Sequence, residues 1–269
     1  MNGSSASSVH RYAIVTGSAS GMGLHYARQL AGRGYGLVLV DVNGMALDEQ
    51  ASHLSAEYPV PVLPLCLDLT SNDAADRLLA FCREHKAIVE VLVNNAGILL
   101  TSAIADASPQ ALSRIVHLHC VTPLLLCRAF VPLMKEEGCG YILNVSSVCA
   151  YMDWPIIGMY GNTKRFVKGY SRSLRIECAG SPVSVTTAVF GAVDTPLFSF
   201  PPRVRRLLLG CGVMIPPSKA VDKALKGLFA RRSVVSPGIA TKVAPCLLAL
   251  IPDWLLSRLA RRYAHLFRK

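Results

Sequence analysis

The 269 residues contain no C-x-x-C pair and no cysteine–histidine cluster of zinc-ligand spacing, and the nine cysteines are an odd, scattered set. That argues against a disulfide framework and against a metal site, and leaves free thiols in a reducing, cytoplasmic setting as the expectation. Aromatics are sparse at 7% and form no spaced stacking platform. No DNA-binding motif occurs either, so nucleic acid is not an expected partner. No run of about 20 apolar residues offers itself as a membrane span. Met1 to Val9 is rich in serine but lacks a basic and then an apolar region. Residues 1–10 therefore read as a disordered leader and not as a secretory signal. Acid is scarce in one place only: residues 200–269 carry 14 Lys+Arg against 2 Asp+Glu, whereas residues 1–199 carry 14 against 15. The net charge of +11 is thus a basic tail on a neutral body.

What is present is a regular alternation. Apolar runs at Arg11–Val15, Gly36–Val40, Val62–Leu67, Ile88–Val93, Tyr141–Val145 and Val183–Phe190 read as buried strands, with a last short one at Ser233–Pro237. Helical stretches lie between them, including a long pattern over Ala111–Glu137 interrupted at Pro123 and Pro132. Strands and helices of these lengths imply parallel βαβ units in one doubly wound sheet of about seven strands, a Rossmann-type α/β fold with helices on both faces. Residues 11–238 form the single domain, and 239–269 a C-terminal helical extension.

The first strand runs straight into Thr16-Gly-Ser-Ala-Ser-Gly-Met-Gly23 and then a helix. Glycines permit tight turning and close approach, and a helix N-terminus points N–H groups at a pyrophosphate. Gly17, Ser20, Gly21, Met22 and Gly23 are therefore candidate nucleotide-binding residues. The second strand ends at Asp41, whose carboxylate suits ribose hydroxyls and repels a 2′-phosphate. With no basic residue in the glycine turn or at Val42 and Asn43, NAD is favoured over NADP.

Tyr160 and Lys164 are spaced i, i+4, which puts a phenol and an ammonium on one helix face. A phenol ionises near pH ~10, and lowering that by about three units takes roughly 4 kcal/mol. A neighbouring cation, helped by a bound cationic cofactor, supplies stabilisation of this kind. Ser147 ends the fifth apolar run, placed to bind the oxygen of a carbonyl or alcohol.

Taken together, the glycine turn, Asp68, Asn94-Asn-Ala-Gly97, Ser147, Tyr160-x-x-x-Lys164 and Thr195 resemble the short-chain dehydrogenase/reductase family over about residues 11–200. The resemblance implies Tyr160 as general acid/base, Ser147 as the hydrogen-bond partner of the substrate oxygen, and Lys164 on the nicotinamide ribose, lowering the Tyr160 pKa. It implies Asp68 and Leu69 beside the adenine, Asn95, Ala96 and Gly97 along the ribose, and Val193 and Thr195 at the carboxamide. Hydride would pass between the nicotinamide and a secondary alcohol or ketone. It also implies a homodimer or homotetramer joined through the helices after the fourth and fifth strands. Two positions depart from the family: Phe190-Gly191 replaces Pro-Gly, and His119 stands where the family has an asparagine holding a relay water. His119 is accordingly a candidate catalytic group, either through its backbone carbonyl or as a side chain titrating near neutral pH. The blander alternative is a helix histidine with a satisfied ring. A different kind of protein, a nucleotide-sensing binder disabled by His119, is the alternative function.

Residues 195–217 should cover the substrate; they are apolar and cationic, which suits a greasy, steroid-like or lipid-like molecule. In the extension, Leu255, Leu259 and Leu266 share a helical face next to Arg258, Arg262 and Lys269, with Trp254 at its start. Such a helix fits peripheral contact with a membrane surface.

Overall fold

The computed structural model of the chain describes residues 10–151, 153, 157–197, 201–238, 241 and 251–263. Seven parallel strands form the central sheet in the order β3-β2-β1-β4-β5-β6-β9. They are β1 (Arg11–Thr16), β2 (Gly36–Asp41), β3 (Val62–Cys66), β4 (Ile88–Asn94), β5 (Gly140–Ser147), β6 (Val183–Phe190) and β9 (Val234–Val235). Strand order reverses between β1 and β4, which opens a crevice beyond their carboxyl ends.

Burial on both faces explains the unbroken apolar strands. Ala13, Val15, Leu37 and Leu39 point to one side, where they pack with Leu30 of α1 (Gly21–Ala31), Leu47 and Leu54 of α2 (Gly44–Glu57), and Leu225 and Leu228 of α8 (Pro217–Phe229). Ile14, Val38 and Val40 point to the other, against Leu78 of α3 (Ala74–Glu84) and Leu126, Phe130 and Met134 of α5 (Thr122–Glu136). The period of two along each strand thus sorts side chains into two cores. Helix α6 (Gly158–Glu177) follows β5 and covers β5 and β6.

Two expectations are corrected. The pattern over 111–137 is not interrupted at its prolines: α4 (Pro109–Val116) passes through a π-helical turn, His117–Val121, into α5. Pro123 sits in the first turn of α5, directly after the π turn, and Pro132 is accommodated within the helix. Secondly, Pro109–Glu136 is long and apolar enough to cross a membrane. It serves here as a core element, with Ile115, Leu126, Phe130 and Met134 fully buried. Around the expected covering segment, β7 (Ala192–Val193) pairs with β8 (Met214–Ile215), and α7 (Pro202–Gly210) lies between them. Residues 198–200, part of the expected apolar cover, lie outside the described residues, as does much of the extension. Helix α9 (Asp253–Tyr263) is described, and it is helical as expected.

Candidate active site

Thr16, the last residue of β1, locks the two strands that flank the crevice. Its hydroxyl donates to Val93 O (3.1 Å) and accepts from the backbone N–H of Asn95 (2.9 Å) and of Ala96 (3.0 Å). The Asn95 amide returns the connection, donating to Thr16 O (2.9 Å) and Gly17 O (3.3 Å). Asn95, expected along the ribose, therefore also holds the glycine turn in place. Thr16 itself had not been singled out as a site residue.

The turn is shaped for close approach. Gly17 has φ +67°, and a Cβ on it would lie 2.9 Å from Ala96 Cα; one on Gly23 would lie 1.8 Å from Gly17 O. No larger residue fits at either position. Helix α1 starts at Gly21 with an N-cap, Ser20, whose side chain makes no capping bond, and with no acid in its first turn. The N–H groups of that turn are left for an anion.

These residues line a cleft of about 370 Å³ that holds Gly17, Ser20, Gly21, Met22, Asp41, Asp68, Leu69, Asn95, Ala96, Gly97 and Thr195 together. Thr195 faces the glycine turn across it. Gly23 lies behind the turn as packing, and Val193 is buried in β7. Neither lines the cleft, nor do Ser147, Tyr160, Lys164 or His119. The cleft also takes in Val42, Ile98, Arg114, Leu118 and Leu197, which sequence reading missed because isolated residues on loops and helix faces carry no motif. Asp41 accepts from Ala19 N and Asn43 N, each at 3.0 Å. Asp68 accepts from Thr70 N (2.9 Å) and Thr70 Oγ1 (2.8 Å), and these bonds hold its carboxyl below the usual range.

Beyond the cleft floor, Ser147, Tyr160 and Lys164 come together and are all buried. Polar bonds tie their two elements: Ser146 Oγ donates to Lys164 O (2.8 Å), and Asn144 Nδ2 to Ser171 Oγ (2.9 Å). Lys164 Nζ donates to Val145 O (3.1 Å) and lies 5.7 Å from the Tyr160 ring centre. Burial pushes Lys164 down to about 8. Without nucleotide, this arrangement does not lower the Tyr160 pKa. Burial, and then the Cys149 thiol, push the phenol up, with Ser147 pulling the other way through a hydrogen bond.

His119 is 1% exposed, within the π turn. Its Nδ1 bonds Thr163 Oγ1 (2.8 Å), and its Nε2 accepts from Ile98 N–H (3.0 Å). Burial and the nearby Lys164 hold its pKa well below the ordinary value. Of the readings open for His119, the two ring bonds fit the satisfied helix histidine better than a side chain titrating near neutral pH.

The family model for short chain dehydrogenase matches residues 11–201. The 1-deoxy-11-beta-hydroxypentalenate dehydrogenase of Streptomyces exfoliatus is 30% identical over 190 residues, 70% of this chain and 69% of that protein. A short-chain dehydrogenase from Sphingobium yanoikuyae in complex with NADPH superposes with a TM-score of 0.77 at 26% identity, covering 96% of each chain. A 3-ketoacyl-(acyl-carrier-protein) reductase from Brucella melitensis complexed with NADH gives 0.75 at 26% identity, over 86% of this chain and 98% of that one.

The buried Lys164 has a stability consequence. Between pH 8 and its ordinary value of 10.5 the unfolded chain keeps a proton that the folded chain has released. The contribution of Lys164 to the stability of the nucleotide-free protein should therefore rise with pH across that window, against the opposite trend of the buried thiols Cys82 and Cys127, which burial pushes up. Melting temperatures of wild type and Lys164→Met should diverge there in favour of wild type; a constant difference contradicts the assignment.

Proposed function

The chain belongs to the short-chain dehydrogenase family, and on that premise we propose that this oxidoreductase interconverts a secondary alcohol and a ketone on a hydrophobic substrate, with NAD as cofactor. The observation that carries the reading is the convergence of Ser147, Tyr160 and Lys164 in one buried group beside a cleft walled by a glycine turn. The nicotinamide, when bound, supplies or accepts the hydride. Tyr160 gives or takes the proton at its hydroxyl, Ser147 orients the substrate oxygen, and Lys164 binds the ribose hydroxyls. Gly17, Gly21 and Met22 hold the pyrophosphate, with Gly23 allowing the turn to close. Asp68, Leu69, Asn95, Ala96 and Gly97 line the rest of the dinucleotide's path, with Val193 and Thr195 at its carboxamide. Asp41 favours NAD, because its carboxylate lines the cleft and already receives two backbone N–H groups. The relatives leave this choice open, since NADPH and NADH complexes both occur among them.

An apolar substrate suits a cover whose helix α7 buries none of its side chains and exposes Val204 and Leu207. Arg205 holds that helix to Asp194, just after β7, through two bonds of 2.5 and 2.6 Å. A second copy of the chain is the partner for exposed Val116, Leu124 and Phe166 on α4, α5 and α6. A lipid surface is the partner for α9, where Trp254 is 66% exposed and Arg258 and Arg261 face solvent.

Replacing Tyr160→Phe should lower turnover by about 10³-fold or more, because general acid–base catalysis is lost together with proton placement. NADH should still bind that variant, and more tightly than NADPH; undiminished turnover ends the mechanism. Light scattering should return a dimer or tetramer, with Phe166→Glu shifting it toward monomer, and a monomeric wild type contradicts the interface. Vesicles containing anionic lipid should retain the wild type in flotation and lose a Trp254→Ser/Arg258→Glu/Arg261→Glu variant. Equal recovery of the two removes the membrane contact.

A further inference from the structure

The His119 network admits a single arrangement of protons. Ile98 N–H can only donate, so Nε2 must be a bare acceptor, and the ring hydrogen must sit on Nδ1. Thr163 gives its hydroxyl hydrogen to Tyr160 O at 2.8 Å, so its lone pairs face Nδ1–H. The chain therefore reads Ile98 N–H to His119, His119 to Thr163, and Thr163 to the backbone of Tyr160. It joins the exit of β4, the π turn and the first turns of α6.

Space leads to the same place. A Cβ on Gly97 would come within 2.9 Å of Nε2, so the ring fills the room that this glycine leaves beside the cleft. The same ring meets Tyr160 edge-on, at 5.7 Å between centres and 75° between planes. The π turn widens the backbone where His119 sits, letting the side chain reach both neighbours. We infer that His119 is a positioning residue: a neutral strut, wired through Nδ1–H, that fixes the Tyr160 ring relative to the Gly97–Ile98 wall of the cleft. This rests on the reading of Tyr160 as the acid/base group, and it gives His119 no proton to transfer.

A second ring proton has no place, because Nε2 already faces a donor. Among the described residues, the ionisable groups facing the ring are Tyr160 and Lys164 on α6, with Cys120 adjoining it in the turn. From the β4 exit it meets Gly97 and the backbone N–H of Ile98, neither of which titrates. None of these offers a negative charge to hold an imidazolium.

Two variants split the strut. His119→Gln can keep an acceptor near the Nε2 position, and His119→Asn a donor near Nδ1. Each should lose on the order of 10- to 100-fold in kcat, the scale of a small misplacement of a reacting group. The KM and the affinity for NADH should stay within about threefold, well under the tenfold that corresponds to 1.4 kcal/mol. The pH profile should keep its shape. Independently of turnover, nitrogen NMR of the wild-type ring should show the neutral Nδ1–H form from acid to alkaline pH. Amide exchange at Ile98 should accelerate at least about tenfold in His119→Asn, where its acceptor is lost, and less in His119→Gln. Wild-type kcat in both variants, a faster His119→Asn, a lost limb of the pH profile, a ring that titrates, or unchanged Ile98 exchange each overturns the strut. Failure of the Tyr160 reading looks different: Tyr160→Phe would turn over normally while the ring tautomer and Ile98 protection stayed as described.

Discussion

An ammonium taken out of water costs several kcal/mol unless neighbours repay it, and Lys164 is repaid by little: one carbonyl, Val145 O, and the face of a phenol ring. That exposed debt governs the chemistry of the site. Burial pulls Lys164 toward releasing its proton and makes Tyr160 hard to ionise, and burial with the nearby Lys164 keeps the His119 pKa low. The group is poised for an added partner more than for work on its own. The polar bonds from Ser146 and Asn144 to α6, with Lys164 Nζ to Val145 O, hold β5 and α6 together there.

The cleft has a different physical basis. It depends on two parallel strands parting at the reversal of strand order, with Thr16 and Asn95 joining their ends by four short bonds. With that joint closed, the glycine turn is pressed to within contact distance of Ala96, and the start of α1 is aimed into the opening. The nucleotide face is thus set by backbone, and the reacting face by buried side chains. His119, touching Ile98 on one side and Thr163 on the other, spans the two.

The sheet was legible in the sequence because its strands are buried on both faces and so read as uninterrupted apolar runs. The glycine turn and the Tyr160–Lys164 spacing were legible because each is local. What escaped reading was long-range or balanced. Helix α2 shows only a thin stripe of Leu47, Ala51 and Leu54. The π turn leaves no local composition cue, and the prolines beside and beyond it are ones the helix tolerates. Arg114 enters the cleft from a helix face with no motif. Spacing reveals the charge beside Tyr160 but not the depth of its burial, which pushes the phenol up in the protein without nucleotide. His119 could be placed from its position but not its partners, 21 and 44 residues away.

If acidity reaches the phenol from a positive charge added to a dry pocket, carbon NMR of Tyr160 in the protein alone and with saturating NAD+ tests it most directly. The nucleotide-free phenol should titrate above the ordinary value, and NAD+ should bring it down by about two units or more, in the range nearby charges produce. NADH, which lacks the ring charge, should do so far less. A phenol already acidic in the free protein, or one that NAD+ leaves where it was, would contradict the account.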